Sequence, residues 1–298
     1  NPLTKGAATT AAGVKVMTEQ YFNNTKTANA YDYGWIPEVT VAKDGSNKIV
    51  KHYAMGRGTW EMAKVMPDNK TAYLGDDGTH VLFTMFVADK EKDLSAGTLY
   101  AAKWNQTSDA NGGVANLTWV KLGKSNNAEI KALIDGGITF NKIFSNVAPT
   151  KDAAGNPSCD TGYTRVRAGS TTDECLKVNA GMEKAAAFLE TRRYAAMLGA
   201  TTEWTKMEGI AVNAKDKKAY VAISAIRDSM TSMAGEPADH IKLKKVSAGA
   251  TYTVDLGAGQ KTTNGGEAIA SDWVGTKMYV ETALLGKDIS ADAVGNTA

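Results

Sequence analysis

Three glutamates each stand twelve residues ahead of a tyrosine: Glu61 before Tyr73, Glu208 before Tyr220 and Glu267 before Tyr279. The residues between agree in type, Val65 with Val212, Ile210 with Ile269, Ala72 with Ala219 and Lys218 with Lys277. Each unit reads as a Glu, a short apolar strand, a polar turn and a strand carrying the Tyr. Carboxylates gathered at equivalent positions repel one another, and burying them unpaired is costly. A hard cation such as calcium resolves that conflict, because it takes oxygen ligands. The alternative is that each Glu caps a strand or pairs with a neighbouring Lys. Gly75-Asp76-Asp77-Gly78 adds two acids in a Gly-bounded turn, which are either hard-metal ligands or ordinary turn formers. Arg57, four residues before Glu61, and Lys206, two before Glu208, are basic groups able to hold a phosphate or a carboxylate.

The elements that must position these groups are mostly strands. Apolar runs at 35–41, 80–87, 98–104, 117–122, 218–223 and 251–255 are short and separated by Gly, Asn, Asp, Lys and Thr. Their alternation is imperfect, as expected of strands buried on both faces. Two segments read as helix, 127–134 and the Ala-rich 182–198, which stops at Gly199. The expectation is an all-β chain, a β-propeller of hairpin units of about 40–50 residues, with too little sequence for a full ring. The whole of 1–298 is then one propeller domain, interrupted by a helical and disulfide-loop insertion at 124–200. In such a ring the innermost strands line a central channel, where Glu61, Glu208 and Glu267 would converge.

Composition excludes several classes. The chain of 298 residues carries 34 basic and 32 acidic side chains, and its net charge of +2 argues against an electrostatic nucleic-acid binder. No apolar stretch approaches the roughly 18 residues that span a bilayer. The chain opens Asn1-Pro2-Leu3 without a signal peptide or initiator Met, as a processed or partial chain does. Cys159 and Cys175 bracket a polar loop without further Cys or His partners, so they read more simply as a disulfide of an exported protein than as free thiols or metal ligands. No serine elbow, phosphate loop or dinucleotide fingerprint is present.

The stretch Gly56-Arg57…Trp60-Glu61…Val65-Met66-Pro67-Asp68…Ala72-Tyr73-Leu74-Gly75-Asp76-Asp77-Gly78 resembles the PhoX-type alkaline phosphatases. So do 93–104, 182–193 and Met207-Glu208-Gly209, and the likeness spans about 33–230. A weaker echo at 17–22 makes Glu19 a further acidic candidate. The resemblance implies an exported β-propeller phosphomonoesterase, periplasmic or extracellular, using calcium together with iron. It implies Glu61 and Glu208 as metal ligands, with Glu267, Asp76, Asp77 and Glu19 as further candidates. Lys206 stands where a basic phosphate contact is expected, with Arg57 as a second, and the partner is a small phosphorylated substrate. The family's Cys ligand to iron would lie upstream of Glu19, where this chain has none. Two other readings compete. One is a non-catalytic secreted propeller with an extracellular assembly partner. The other is a calcium-dependent lactonase-like hydrolase starting at Glu208-Gly209, with Asn213 as a distant partner.

Overall fold

The computed structural model describes residues 14–233 and 235–289. Nine strands form one antiparallel sheet made of two meanders. The first runs through Trp60–Val65, Thr71–Asp76, Phe83–Lys90, Asp93–Ser108 and Val114–Asn126. The second runs through Met207–Asn213, Lys218–Ile223, Ala250–Gly257 and Val274–Leu285. Local turn chemistry sets the hairpins. Asp68 Oδ1 accepts from the N–H groups of Lys70 and Thr71 at 3.0 and 2.9 Å, and Asn213 Oδ1 accepts from Asp216 N–H at 3.2 Å.

The two meanders are joined edge to edge by pairing of Lys277, Met278 and Tyr279 with Asn116, Ala115 and Val114. Their outer strands meet on the other side, where Ile210 N–H donates to Met62 Sδ at 3.0 Å. Gly75 passes so close to this seam that a Cβ there would lie 2.9 Å from the Met207 carbonyl oxygen. The sheet therefore nearly closes on itself.

The all-β class and the helical segment match the sequence reading, and the repeat units that begin at Glu61 and Glu208 are hairpins of these meanders. Main-chain pairing at 277–279 links the two meanders into one nine-stranded, nearly closed sheet. The interior is accordingly a packed core. Tyr73, Phe83, Trp104, Trp119, Trp204 and Tyr252 fill it, with ring centroids 5.3–6.2 Å apart.

The imperfect alternation of the strands has a direct cause. In Thr71–Asp76 every residue is buried: Tyr73 joins the interior cluster, while Ala72 and Leu74 pack outward with Phe188, Leu189 and Ile130. That outer layer comes from helices Asn127–Asp135, Glu183–Leu189 and Thr191–Met197. Asn126 caps the first by accepting from Glu129 N–H at 2.9 Å. The helix expected over 182–198 is split at Glu190, whose buried carboxylate accepts from Tyr31 Oη at 2.8 Å and from Arg193 at 3.0 Å. Cys159 and Cys175 form a disulfide across a separation of 16 residues, a closure worth about 3 kcal/mol by chain entropy. Among the described residues no helix is long and apolar enough to cross a membrane.

Candidate functional site

Glu61 and Glu208 occupy the same structural position in their two hairpins. The first pairs Trp60 with Asp76 and Met62 with Gly75, leaving Glu61 as the extra residue of a bulge. The second pairs Met207 with Ile223 and Gly209 with Ala222, leaving Glu208 as the extra residue. Beyond each bulge the registers agree, Lys64 opposite Tyr73 and Ala211 opposite Tyr220. Both bulges lie on the outer strands that face each other across the seam. A β-bulge re-aims a side chain and suits a site at a sheet edge.

A charged cluster sits at the end of this seam. Lys206 Nζ lies 2.6 Å from Asp77 Oδ1 and 3.0 Å from Glu208 Oε1, and Ser224 Oγ donates to the same Glu208 oxygen at 2.9 Å. The main chain pins Lys206 on both sides. Its N–H donates to the Gly78 carbonyl at 3.0 Å, and its own carbonyl accepts from Ser224 N–H at 3.0 Å. This holds Lys206 at φ +46°, a left-handed conformation costly for a residue with a Cβ. The hydrogen bonds to Asp77 and then to Glu208 raise the Lys206 pKa above its ordinary value, so the ammonium stays charged further into the alkaline range.

Asp76 stands beside this cluster but has a different task. Its fully buried carboxylate accepts from Thr59 N–H at 2.9 Å, Leu82 N–H at 3.2 Å and Arg192 Nε at 2.6 Å, and a second Arg192 nitrogen also contacts it. Arg192 further donates to the Asp77 carbonyl at 3.2 Å. The Asp76–Arg192 pair ties the helical layer to the loop that carries Asp77.

The remaining candidates lie apart from the cluster. Arg57 is buried, its Nε donating to the Tyr33 carbonyl at 2.9 Å and its Nη1 to the Leu189 carbonyl at 3.0 Å, over the Tyr31 ring. With those donors spent on main-chain oxygens it acts as a tether between segments. Glu267 lies in the loop before Val274–Leu285 and pairs with Lys121 at 2.6 Å, which is the neighbouring-lysine alternative. Glu19 is on the single turn Met17–Tyr21, 3.6 Å from Lys15. Asn213 bonds Asp216 at its hairpin turn, as a turn former and not a partner of Glu208. Among the described residues no three His, Cys, Asp or Glu side chains are grouped so as to hold a metal ion.

Sequence reasoning missed Arg192 and Ser224. Ser224 had no signal. For Arg192 the signal was available: the doublet Arg192-Arg193 closes an apolar, Ala-rich run, and arginines placed in such a run must find buried acceptors.

Three residues before Lys206, burial pushes the Glu203 carboxyl up to about 8. Ile241 and His240 N–H groups oppose that shift, and Glu236 and Asp239 add to it. Between its ordinary 4.5 and about 8 the folded chain keeps this proton while the unfolded chain loses it. Stability therefore falls as pH rises through that window, by up to about 1.4 kcal/mol per pH unit. Glu203→Gln should flatten that decline in urea unfolding measured from about pH 5 to pH 8, and an unchanged slope would place the loss elsewhere.

The family model for alkaline phosphatase PhoX matches residues 4–259. No curated protein sequence matches the chain. A solved structure of Pseudomonas fluorescens PhoX in complex with vanadate, a transition state analogue, aligns with TM-score 0.46 and 19% identity, over 83% of this chain and 35% of that one. The chain thus spans about a third of that protein's length.

Proposed function

The chain belongs to the alkaline phosphatase PhoX family, and from that premise we propose that it acts on small phosphate monoesters through the Asp77–Lys206–Glu208 cluster. The observation that carries this reading is the ammonium of Lys206, held by two carboxylates at the seam. An ammonium has three N–H donors, and two are used by Asp77 and Glu208. The third is the one offered to a phosphoryl oxygen. The carboxylates that orient Lys206 also keep it protonated at alkaline pH. A fixed positive charge at a transferring phosphoryl group stabilises the charge that develops in the transition state.

A metal ion supplies Lewis-acid polarisation and an activated water in enzymes of this metal-dependent family. The residues as placed do not fit one. Asp76 is engaged by Arg192, Asp77 and Glu208 share Lys206, and Glu267 pairs with Lys121. Both cysteines are in the disulfide, so neither offers iron a thiolate. The disulfide supports an exported chain, periplasmic or extracellular. The reading treats 1–298 as one domain, with 124–200 as an insertion that braces the site through Arg192.

A second reading, a phosphate-binding module without turnover, is favoured by the same engagement of the carboxylates. One assay separates the two. Release of nitrophenol from an aryl phosphate at alkaline pH, with and without added calcium, should show turnover that inorganic phosphate inhibits. Binding of phosphate by calorimetry without turnover in either buffer would leave the second reading, and neither binding nor turnover would remove both.

A further inference from the structure

Lys206 Nζ lies between the carboxylates of Asp77 and Glu208, 2.6 and 3.0 Å from them. We propose that its ammonium is the resident cation of this acidic pair and keeps divalent cations off it. The inference uses the site of the preceding reading but not its reaction.

Three observations carry it. First, the contacts of 2.6 and 3.0 Å place one charged nitrogen against both carboxylates at once. Second, the position of Lys206 is imposed by the backbone. A left-handed φ of +46° persists at a lysine because the Gly78 carbonyl and the Ser224 N–H hold its peptide groups. The ammonium is tethered beside the carboxylates, so its local concentration is high and a dissolved ion must displace it. Third, the neighbouring acid cannot complete a coordination shell. Asp76 is buried and committed to Arg192, Thr59 and Leu82. A calcium ion seeks six to eight oxygens, and among the described residues two carboxylates, Asp77 and Glu208, are within reach of the ammonium it would replace.

The charge arithmetic gives the direction of the test. Asp77 and Glu208 with Lys206 carry a net charge of −1, and without the ammonium they carry −2. Removing the lysine charge should therefore admit a divalent cation that the native chain excludes. Lys206→Met keeps length and apolar stem while removing the charge. Calorimetric titration with calcium should show at least tenfold tighter one-to-one binding for Lys206→Met than for the native chain. Adding Glu208→Gln to that variant should abolish the gain, which locates the ion. If Lys206→Met fails to fold, Lys206→Asn, whose side chain tolerates the left-handed region, takes its place in the same comparison. Native calcium affinity equal to or tighter than that of the variant overturns the proposal. So does a variant that gains no binding. Turnover is judged on the native chain alone: a gain in calcium binding by Lys206→Met with no phosphatase activity in the native chain retires the phosphatase reading alone, and native turnover without such a gain in the variant retires this proposal alone.

Discussion

Asp76→Asn should cost about 3–5 kcal/mol of folding stability, because it removes one partner of a buried ion pair and leaves the other charge without its direct partner. Asp76 is fully buried and Arg192 nearly so. The native carboxylate accepts from Thr59, Leu82 and two nitrogens of Arg192, with no donor of its own. An amide turns one of those acceptor positions into a donor, facing an N–H or a guanidinium. The Arg192 guanidinium then loses the carboxylate it contacts, with Asp77 and Glu190 left as the nearby acids. Replacing both residues, Asp76→Asn with Arg192→Met, should recover part of the loss, since an apolar pair leaves no uncompensated charge. Urea unfolding of the three chains measures this. A loss below about 1 kcal/mol for Asp76→Asn would put the pair in the class of exposed salt bridges and remove its role as a brace.

That pair also shows why part of the site was hidden in the sequence. Asp76 and Asp77 look alike there, two acids in one Gly-bounded turn, and both read equally as hard-metal ligands or as turn formers. The fold separates them: Asp76 points to an arginine 116 positions away, while Asp77 meets Lys206, 129 positions away. Neither partner can be reached by local spacing. The partners of Arg57 were hidden for the same reason, since its acceptors at Tyr33 and Leu189 are carbonyls and carry no side-chain signature.

The period of twelve was more informative. It placed Glu61 and Glu208 at matched bulges and Tyr73 and Tyr220 at matched strand positions, because hairpin register follows turn and pattern. The same count from Glu267 to Tyr279 puts Tyr279 on a strand but Glu267 in a loop against Lys121, because a spacing does not specify which segment pairs with which. The cysteines were legible since the loop they close is local. The short pairing of 277–279 with 114–116, which joins the meanders, carries no mark in the sequence because its partners lie far apart along the chain.

Lys206→Met should lower kcat/KM for an aryl phosphate by about 10²–10³-fold, the usual loss when one charged or hydrogen-bonding contact to the transition state is removed. Lys206→Arg should keep much of the activity, since a guanidinium also presents donors to both carboxylates and a phosphoryl oxygen. That contrast is measured at one calcium concentration for every variant. A purely structural lysine would give a lowered melting temperature in both variants and no selective loss of turnover in the first. The pH profile supplies the second readout. Asp77, and after it Glu208, raises the Lys206 pKa, so the native ammonium persists as pH climbs. Asp77→Asn removes the larger of these influences, and the Lys206 pKa moves back down. The alkaline limb of kcat/KM should therefore fall at lower pH in Asp77→Asn than in the native chain. Full activity in Lys206→Met, or an alkaline limb unmoved by Asp77→Asn, would take the phosphate contact away from Lys206. The Asp77–Lys206–Glu208 cluster would then be a clasp across the seam of the sheet, holding Glu208 to the loop that carries Asp77.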